Sequence, residues 1–143
     1  MKTERLEALA REIASREAGR GPSRARARRL SERLRAEVER ALARFARAAA
    51  EAGAPHLDLI RIGPIDPDDK SVRAFQFRVA RGRHVAVVVC KDRGEVMLVG
   101  PFRQGDAEGP CDPIHLEQAD AAAQLEDRLE AMLLRLIEVS FQK

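Results

Sequence analysis

The fold of this chain is decided by two apolar segments and the short turn between them. They occupy residues 84–100, which read HVAVVVCKDRGEVMLVG. The first segment, HVAVVVC, is a nearly continuous valine run, which is typical of a central strand buried on both faces. The second, EVMLVG, follows after only KDRG, a turn with a late glycine. Because strands joined by so short a connection are antiparallel neighbours, the sequence predicts a hairpin here.

Two further strands precede this hairpin in the chain. Residues 72–80, VRAFQFRVA, place Phe75, Phe77 and Val79 on one face by their spacing of two. Only RGR separates this segment from the central strand. Residues 56–62, HLDLIRI, are expected to form the fourth strand, and the Asp- and Pro-rich residues 65–71 a turn. The sequence therefore predicts a four-stranded antiparallel meander.

Two helices are expected before the sheet. The first covers residues 3–18 and stops at Gly19–Pro22, where two glycines and a proline interrupt it. Its apolar positions at helical spacing are Leu6, Leu9, Ala10, Ile13 and Ala14. The second begins with Ser23 as its N-cap and ends just before Gly53. Its apolar face consists of Leu30, Leu34, Val38, Leu42, Phe45 and Ala49.

A third helix is expected after the sheet. Asp112 would be its N-cap and Pro113 its first residue, the position that proline prefers, and it would run to about Ser140. Its apolar face consists of Leu125, Leu129, Met132, Leu133, Leu136 and Ile137. The predicted order is α-α-β-β-β-β-α, an α+β fold in one domain, with the long helices packed on the sheet. Residues 1–22 would form an N-terminal helix and Gly/Pro break, and residues 23–143 the body.

Composition narrows the classes of function. Aromatic residues make up 3% of the 143 residues, with neither Trp nor Tyr, so stacking platforms for single-stranded nucleic acid are lacking. Two cysteines do not make a disulfide scaffold, and the first residues contain no apolar signal region. No P-loop, G-x-G-x-x-G or serine-elbow motif occurs. We therefore expect a cytoplasmic protein without a cofactor and without membrane association.

The charge distribution points to a basic surface on the second helix. Residues 1–50 hold 14 basic and 7 acidic side chains, a balance of +7, whereas residues 104–143 hold 3 and 9, a balance of −6. Six arginines of the second helix fall within a sector of roughly 60° at 100° per residue. We call this set the arginine stripe: Arg26, Arg29, Arg33, Arg40, Arg44 and Arg47. A row of guanidinium groups could contact phosphates or an acidic protein surface.

The arginine stripe also has two explanations that require no partner. It could be a solvated face whose charges pair with Glu32, Glu37 and Glu39, three or four residues away on the same helix. It could also pack on the acidic third helix of the same chain.

The stretch Gly100–His115, GPFRQGDAEGPCDPIH, is a second candidate site. It is longer than most connections between a strand and a helix, and long loops are often functional. Its polar groups are Arg103, Gln104, Asp106, Glu108, Cys111 and His115. An enzyme could use the Cys111 thiolate as a nucleophile, aided by His115 or His84. The alternative is a stiff crossover from the sheet to the third helix.

Metal binding is not expected. Cys111 and His115 form a single pair of ligands, whereas a structural zinc site needs four. Asp66, Asp68 and Asp69 suggest calcium, but the sixth and twelfth positions from Asp66 are not the glycine and glutamate that a calcium loop needs. These aspartates are typical turn formers.

The sequence therefore favours a non-enzymatic binding or assembly module whose arginine stripe contacts an anionic partner, an acidic protein surface. Two alternatives stay open: a small enzyme or ligand-binding protein that uses residues 100–115, and a nucleic-acid-binding protein. Apolar residues cover more than half of the circumference of the segment AMLLRLIEV, residues 131–139. A homodimer through this end of the third helix, or through the first helix, is a further expectation.

Overall fold

A computed structural model shows an α+β fold, and it describes residues 1–18, 21–55, 60–68, 71–106 and 109–142. The elements follow in the order α1 (Glu4–Ala18), α2 (Gly21–Glu51), β1 (Arg61–Ile62), β2 (Asp66–Asp68), β3 (Ser71–Arg81), β4 (His84–Lys91), β5 (Glu95–Arg103), β6 (Cys111–His115) and α3 (Ala121–Ser140). The predicted fold class and helix–sheet–helix order are confirmed. The sheet contains six strands rather than four.

All the strands pair antiparallel, in the order β1-β3-β4-β5-β6, and β2 also pairs with β3. The central position of β4 is confirmed, because every residue from Val85 to Cys90 is buried. Alternation divides these residues between the two faces of the sheet. Ala86, Val88 and Cys90 face the helices, and Val85, Val87 and Val89 belong to a separate apolar cluster on the opposite face.

The two long helices pack side by side on one face of the sheet. Leu34 and Val38 of α2 and the apolar face of α3 form one core with Phe77 and Val79 of β3. Arg81 holds the end of α3, because its guanidinium donates to the Ser140 carbonyl at 2.6 Å and lies 3.4 Å from the centroid of the Phe141 ring. The apolar cluster on the opposite face contains no helical residue.

The segment around Pro113 differs from its prediction. Residues 111–115 form β6, which pairs with β5, and α3 begins only at Ala121 after Asp120. Asp112 is not a helix cap: its carboxylate accepts a bond from Arg128 of α3 at 2.9 Å. A proline is tolerated here because β6 is an edge strand, where the missing N–H leaves no ladder bond unmade. The expected crossover is therefore a hairpin between β5 and β6.

Smaller differences concern the other boundaries. Helix α2 begins at Gly21 and includes Pro22 in its first turn, which proline tolerates, so Ser23 is not its N-cap. The predicted turn over residues 65–71 contains β2. Of the strand predicted over residues 56–62, only Arg61–Ile62 form a strand, β1, and residues 56–59 lie outside the described residues. The end of α2 before Gly53 is confirmed.

Candidate binding surface

Helix α2 carries arginines on two sides, and one side holds the helix onto the sheet. The guanidinium carbons of Arg24 and Arg28 lie 5.3 and 5.5 Å from the centroid of the Phe75 ring. Arg35 Nε donates to the Gly63 carbonyl at 2.8 Å. Guanidinium groups stack on aromatic faces and bind carbonyl oxygens, so these three side chains are engaged in tertiary structure. We call them the packing arginines.

The arginine stripe occupies the other side of α2, and all six of its members are exposed. Arg33 has an acidic neighbour, Glu37, at 3.9 Å, and Arg26 donates to Ser23 at 3.1 Å. The other four have no carboxylate within 4 Å among the residues that the structure describes: Arg29, Arg40, Arg44 and Arg47. The stripe is thus a nearly uncompensated row of positive charge.

The glutamates of α2 neutralise little of the positive charge of the arginine stripe. Glu32 pairs with Arg28 at 3.3 Å and Glu39 with Arg35 at 2.7 Å, and both of these arginines are packing arginines. The glutamates of α2 thus compensate the side of the helix that packs on the sheet more than the side that faces solvent.

A groove separates α2 from α3 beside the arginine stripe. Its volume is about 490 Å³. Arg40 and Arg44 of the stripe line it from α2 together with Glu37, and Glu126 and Glu130 line it from α3. The apolar residues that line it are Val38, Ala41, Leu129 and Leu133. Across the described part of the chain, no ion pair within 4 Å joins the two helices. Arg40 and Arg44 therefore face the acidic helix across an open groove and form no ion pair with it.

The sequence analysis did not predict the acidic wall of this groove, which Glu126 and Glu130 form. Glu126 and Glu130 are four residues apart on α3, so both lie on one side of the helix. The signal that could have found them was the balance of −6 in residues 104–143. What the sequence could not show is that this side of α3 lies next to the stripe.

The polar groups of residues 100–115 are spread along the sheet. Arg103 pairs with His84 at one end of β5, whereas His115 pairs with Glu95 at the other end. These ends are about 27 Å apart at 3.4 Å per residue. Gln104 and Asp106 are exposed in the turn after Arg103. Glu108 lies outside the described residues. The structure therefore does not gather these side chains into one site.

Cys111 and His115 are also separated from each other. Both are exposed on edge strand β6, where four residues span about 13 Å. The prediction of a helix start would have placed them one turn apart. His84 pairs with Arg103 at the far end of the sheet. Among the described residues, no Cys–His pair lies within the hydrogen-bond reach that nucleophilic catalysis requires.

His115 lines a second cavity, of about 510 Å³, with Arg93, Glu95 and Glu117. Glu95 is almost fully buried, and its carboxylate is held by Arg93 at 2.9 Å and Lys91 at 3.7 Å. Both positive charges are thus already used to compensate one buried carboxylate.

Residues with metal-ligating side chains do not cluster. Within the described ranges, no group of three or more His, Cys, Asp or Glu residues is placed to hold a metal ion. Asp66 and Asp68 lie in β2, and Asp69 is outside the described residues. None of the helices in the described part of the chain combines the length and apolarity that a bilayer crossing requires.

Among the described residues, Cys90 has a clearly shifted pKa. Its side chain is fully buried beneath α2, and burial raises the pKa of the thiol to about 11. The hydroxyl of Ser31 and the positive charge of Arg33 oppose this rise only in part. Ser31 Oγ is close enough to Cys90 to have this effect, yet no hydrogen bond of ordinary geometry satisfies it in the described structure. Both groups therefore belong to the core beneath α2.

Comparison with known proteins gives no further guidance. No family model, curated protein or solved structure shows a significant match to this chain. The function must therefore be argued from the geometry of α2 and α3.

Proposed function

We propose that this protein is a non-enzymatic binding module whose arginine stripe contacts an acidic surface of a partner protein. The observation that carries the proposal is the division of α2 into two sides. Arg24 and Arg28 lie over Phe75 of β3 and Arg35 donates to the Gly63 carbonyl, whereas five of the six stripe arginines have no acidic partner within 4 Å among the described residues. The guanidinium group is a planar fork that binds a carboxylate through two parallel hydrogen bonds, and the helix fixes the spacing between successive arginines.

The groove favours a protein partner over a nucleic acid. Glu126 and Glu130 form its α3 wall, opposite Arg40 and Arg44. A nucleic-acid duplex is too broad to lie on the stripe alone, so its phosphates would also meet these carboxylates and be repelled, whereas a single peptide chain can keep its acidic side chains on the stripe. A protein segment could place acidic side chains on the stripe and an apolar side chain over Val38 and the leucines of α3.

The net charge and the free cysteines of the chain are consistent with binding to an acidic protein surface. The formal net charge of the chain is only +3, so the attraction is local to α2 and does not come from the whole molecule. Cys90 and Cys111 are both free thiols, which supports a cytoplasmic location as part of the proposal.

The proposal is tested by binding of a fluorescently labelled poly-L-glutamate peptide over a salt series. The triple variant R33Q/R40Q/R44Q removes three stripe charges. Three exposed ion pairs at about 0.5 kcal/mol each sum to roughly 1.5 kcal/mol, which predicts about tenfold weaker binding and a shallower dependence on salt.

The matched control is R61Q/R78Q/R83Q, which removes three exposed arginines from β1, β3 and the β3–β4 turn and changes the net charge equally. This control is expected to bind the peptide within a factor of two or so of the original chain, because small changes in surface charge elsewhere act only through screened, long-range fields. Equal weakening in both variants would show that net charge alone drives binding, and normal binding by the stripe variant would refute the proposal. Tighter, more salt-sensitive binding of duplex DNA than of the peptide would favour the nucleic-acid alternative.

A further inference from the structure

Helix α1 presents an apolar stripe that nothing in the described chain covers. None of its residues is buried, and Leu6, Leu9 and Ile13 are 60%, 47% and 43% exposed. Its link to the body is near its C-terminus, where Glu17 Oε1 lies 3.2 Å from Arg73 Nη2. A short helix that buries no apolar surface gains little from tertiary packing. A second helix that covered this stripe would supply that packing.

We propose that α1 pairs with the α1 of a second copy of this chain as an antiparallel two-helix coiled coil. Leu6, Leu9 and Ile13 follow one another at intervals of three and four residues, which is the spacing of the core positions of a heptad. In the antiparallel pair, Leu6 of each helix packs opposite Leu9 of the other. Each Ile13 then covers an end of this four-leucine centre.

Charge complementarity selects the second copy as the occupant and fixes the register. When Leu6 of one helix lies opposite Leu9 of the other, the residue before Leu6 of one helix lies beside the residue before Ile13 of the other. These residues are Arg5 and Glu12. Each helix therefore offers Arg5 to Glu12 of its partner, and the pair forms two opposite-charge contacts. Sliding one helix by a heptad would place Glu12 next to Glu12, which like-charge repulsion disfavours.

The geometry leaves both bodies free. Each body follows the C-terminal end of its α1, and the two ends point in opposite directions in the antiparallel pair. Residue 18 of one helix would lie about 30 Å from residue 18 of the other along the common axis, at 1.5 Å per residue. The two bodies therefore follow opposite ends of the coiled coil, and this inference is independent of the proposed function.

Charge reversal tests the pairing directly. In R5E, and separately in E12R, both interhelical contacts become like-charge, so each variant alone is expected to sediment with the 15.9 kDa mass of one chain. When the two variants are mixed, positions 5 and 12 are both acidic in one chain and both basic in the other. Each contact then joins opposite charges, and a heterodimer of twice that mass should form. The original chain should sediment as a homodimer over the same concentration range.

Arg11 provides the matched control, because it lies on the exposed back of α1, away from the apolar stripe. R11E makes the same charge change as R5E and is expected to stay dimeric. A monomeric original chain at every concentration would overturn the inference, as would a dimer that survives both R5E and E12R. Failure of the mixture to dimerise would overturn the antiparallel register. Circular dichroism of each variant confirms that the body is folded, since the substituted residues are exposed.

Discussion

Cys90 should make the stability of the protein depend on pH in the alkaline range. Its thiol has an ordinary pKa of 9.0 and a pKa of about 11 in the folded chain, because burial disfavours the thiolate. Between these values the unfolded chain has released the proton while the folded chain retains it. The unfolded state then binds fewer protons, so the free energy of unfolding falls as the pH rises from 9 to 11. Two pKa units at 1.36 kcal/mol each give a loss of about 2.7 kcal/mol.

The assay is urea unfolding followed by circular dichroism below pH 9 and at pH 11, for the original chain and for C90A. The variant loses packing at every pH, so the quantity compared is the change in free energy between the two pH values. This change should be about 2 to 3 kcal/mol larger in the original chain, because other alkaline titrations are common to both. If the two chains lose the same stability, the thiol is not held protonated by the core and the reasoning is wrong.

Two further predictions concern single residues of the core and the sheet. S31A removes a buried hydroxyl without an ordinary partner and should raise the free energy of unfolding by about 1 to 2 kcal/mol in urea titrations; a loss would show that Ser31 bonds Cys90 in solution. Gly100 has a φ of 101°, and a Cβ there would lie 2.7 Å from the Val85 carbonyl, so G100A should cost about 2 to 3 kcal/mol. Gly105 has the same φ with open space around it, so G105A should lose clearly less, and equal losses would argue against the close contact.

The central strands β3, β4 and β5 and two of the helices were predictable because their signals are local. The valine run of β4 indicates a buried strand without information on its neighbours. The short turn KDRG can join this strand only to an antiparallel neighbour. The spacing of Phe75, Phe77 and Val79 indicates a strand without reference to its partner. These features account for the agreement in helix–sheet–helix order.

The region of Pro113 could not be predicted in this way, because its structure depends on a distant partner. Asp112 followed by Pro113 is a common start of a helix, and nothing next to it in sequence contradicts that interpretation. The pairing of Met97 with Pro113 and of Val96 with Ile114 decides the matter, and both are tertiary contacts. The same pairing separates Cys111 from His115, so the candidate loop site depended on this one boundary.

The sequence predicted the arginine stripe but not the other parts of the candidate binding surface. Helical spacing placed the six arginines on one side of α2, but spacing does not show which arginines pack on the sheet. Arg28 and Arg35 resemble the stripe arginines in sequence, and Phe75 and Gly63, which engage them, lie in other elements. The glutamates that line the groove required the relative placement of α2 and α3.

The division of α2 into a packing side and a binding side is tested most directly by NMR of the arginine Nε–Hε groups during titration with poly-L-glutamate. The signals of Arg40 and Arg44 should shift as the peptide is added, because their guanidinium groups are exposed and have no acidic partner within 4 Å among the described residues. The signal of Arg35, whose side chain is only 27% exposed and donates to the Gly63 carbonyl, should stay in place. A shift at Arg35 with none at Arg40 and Arg44 would contradict the account.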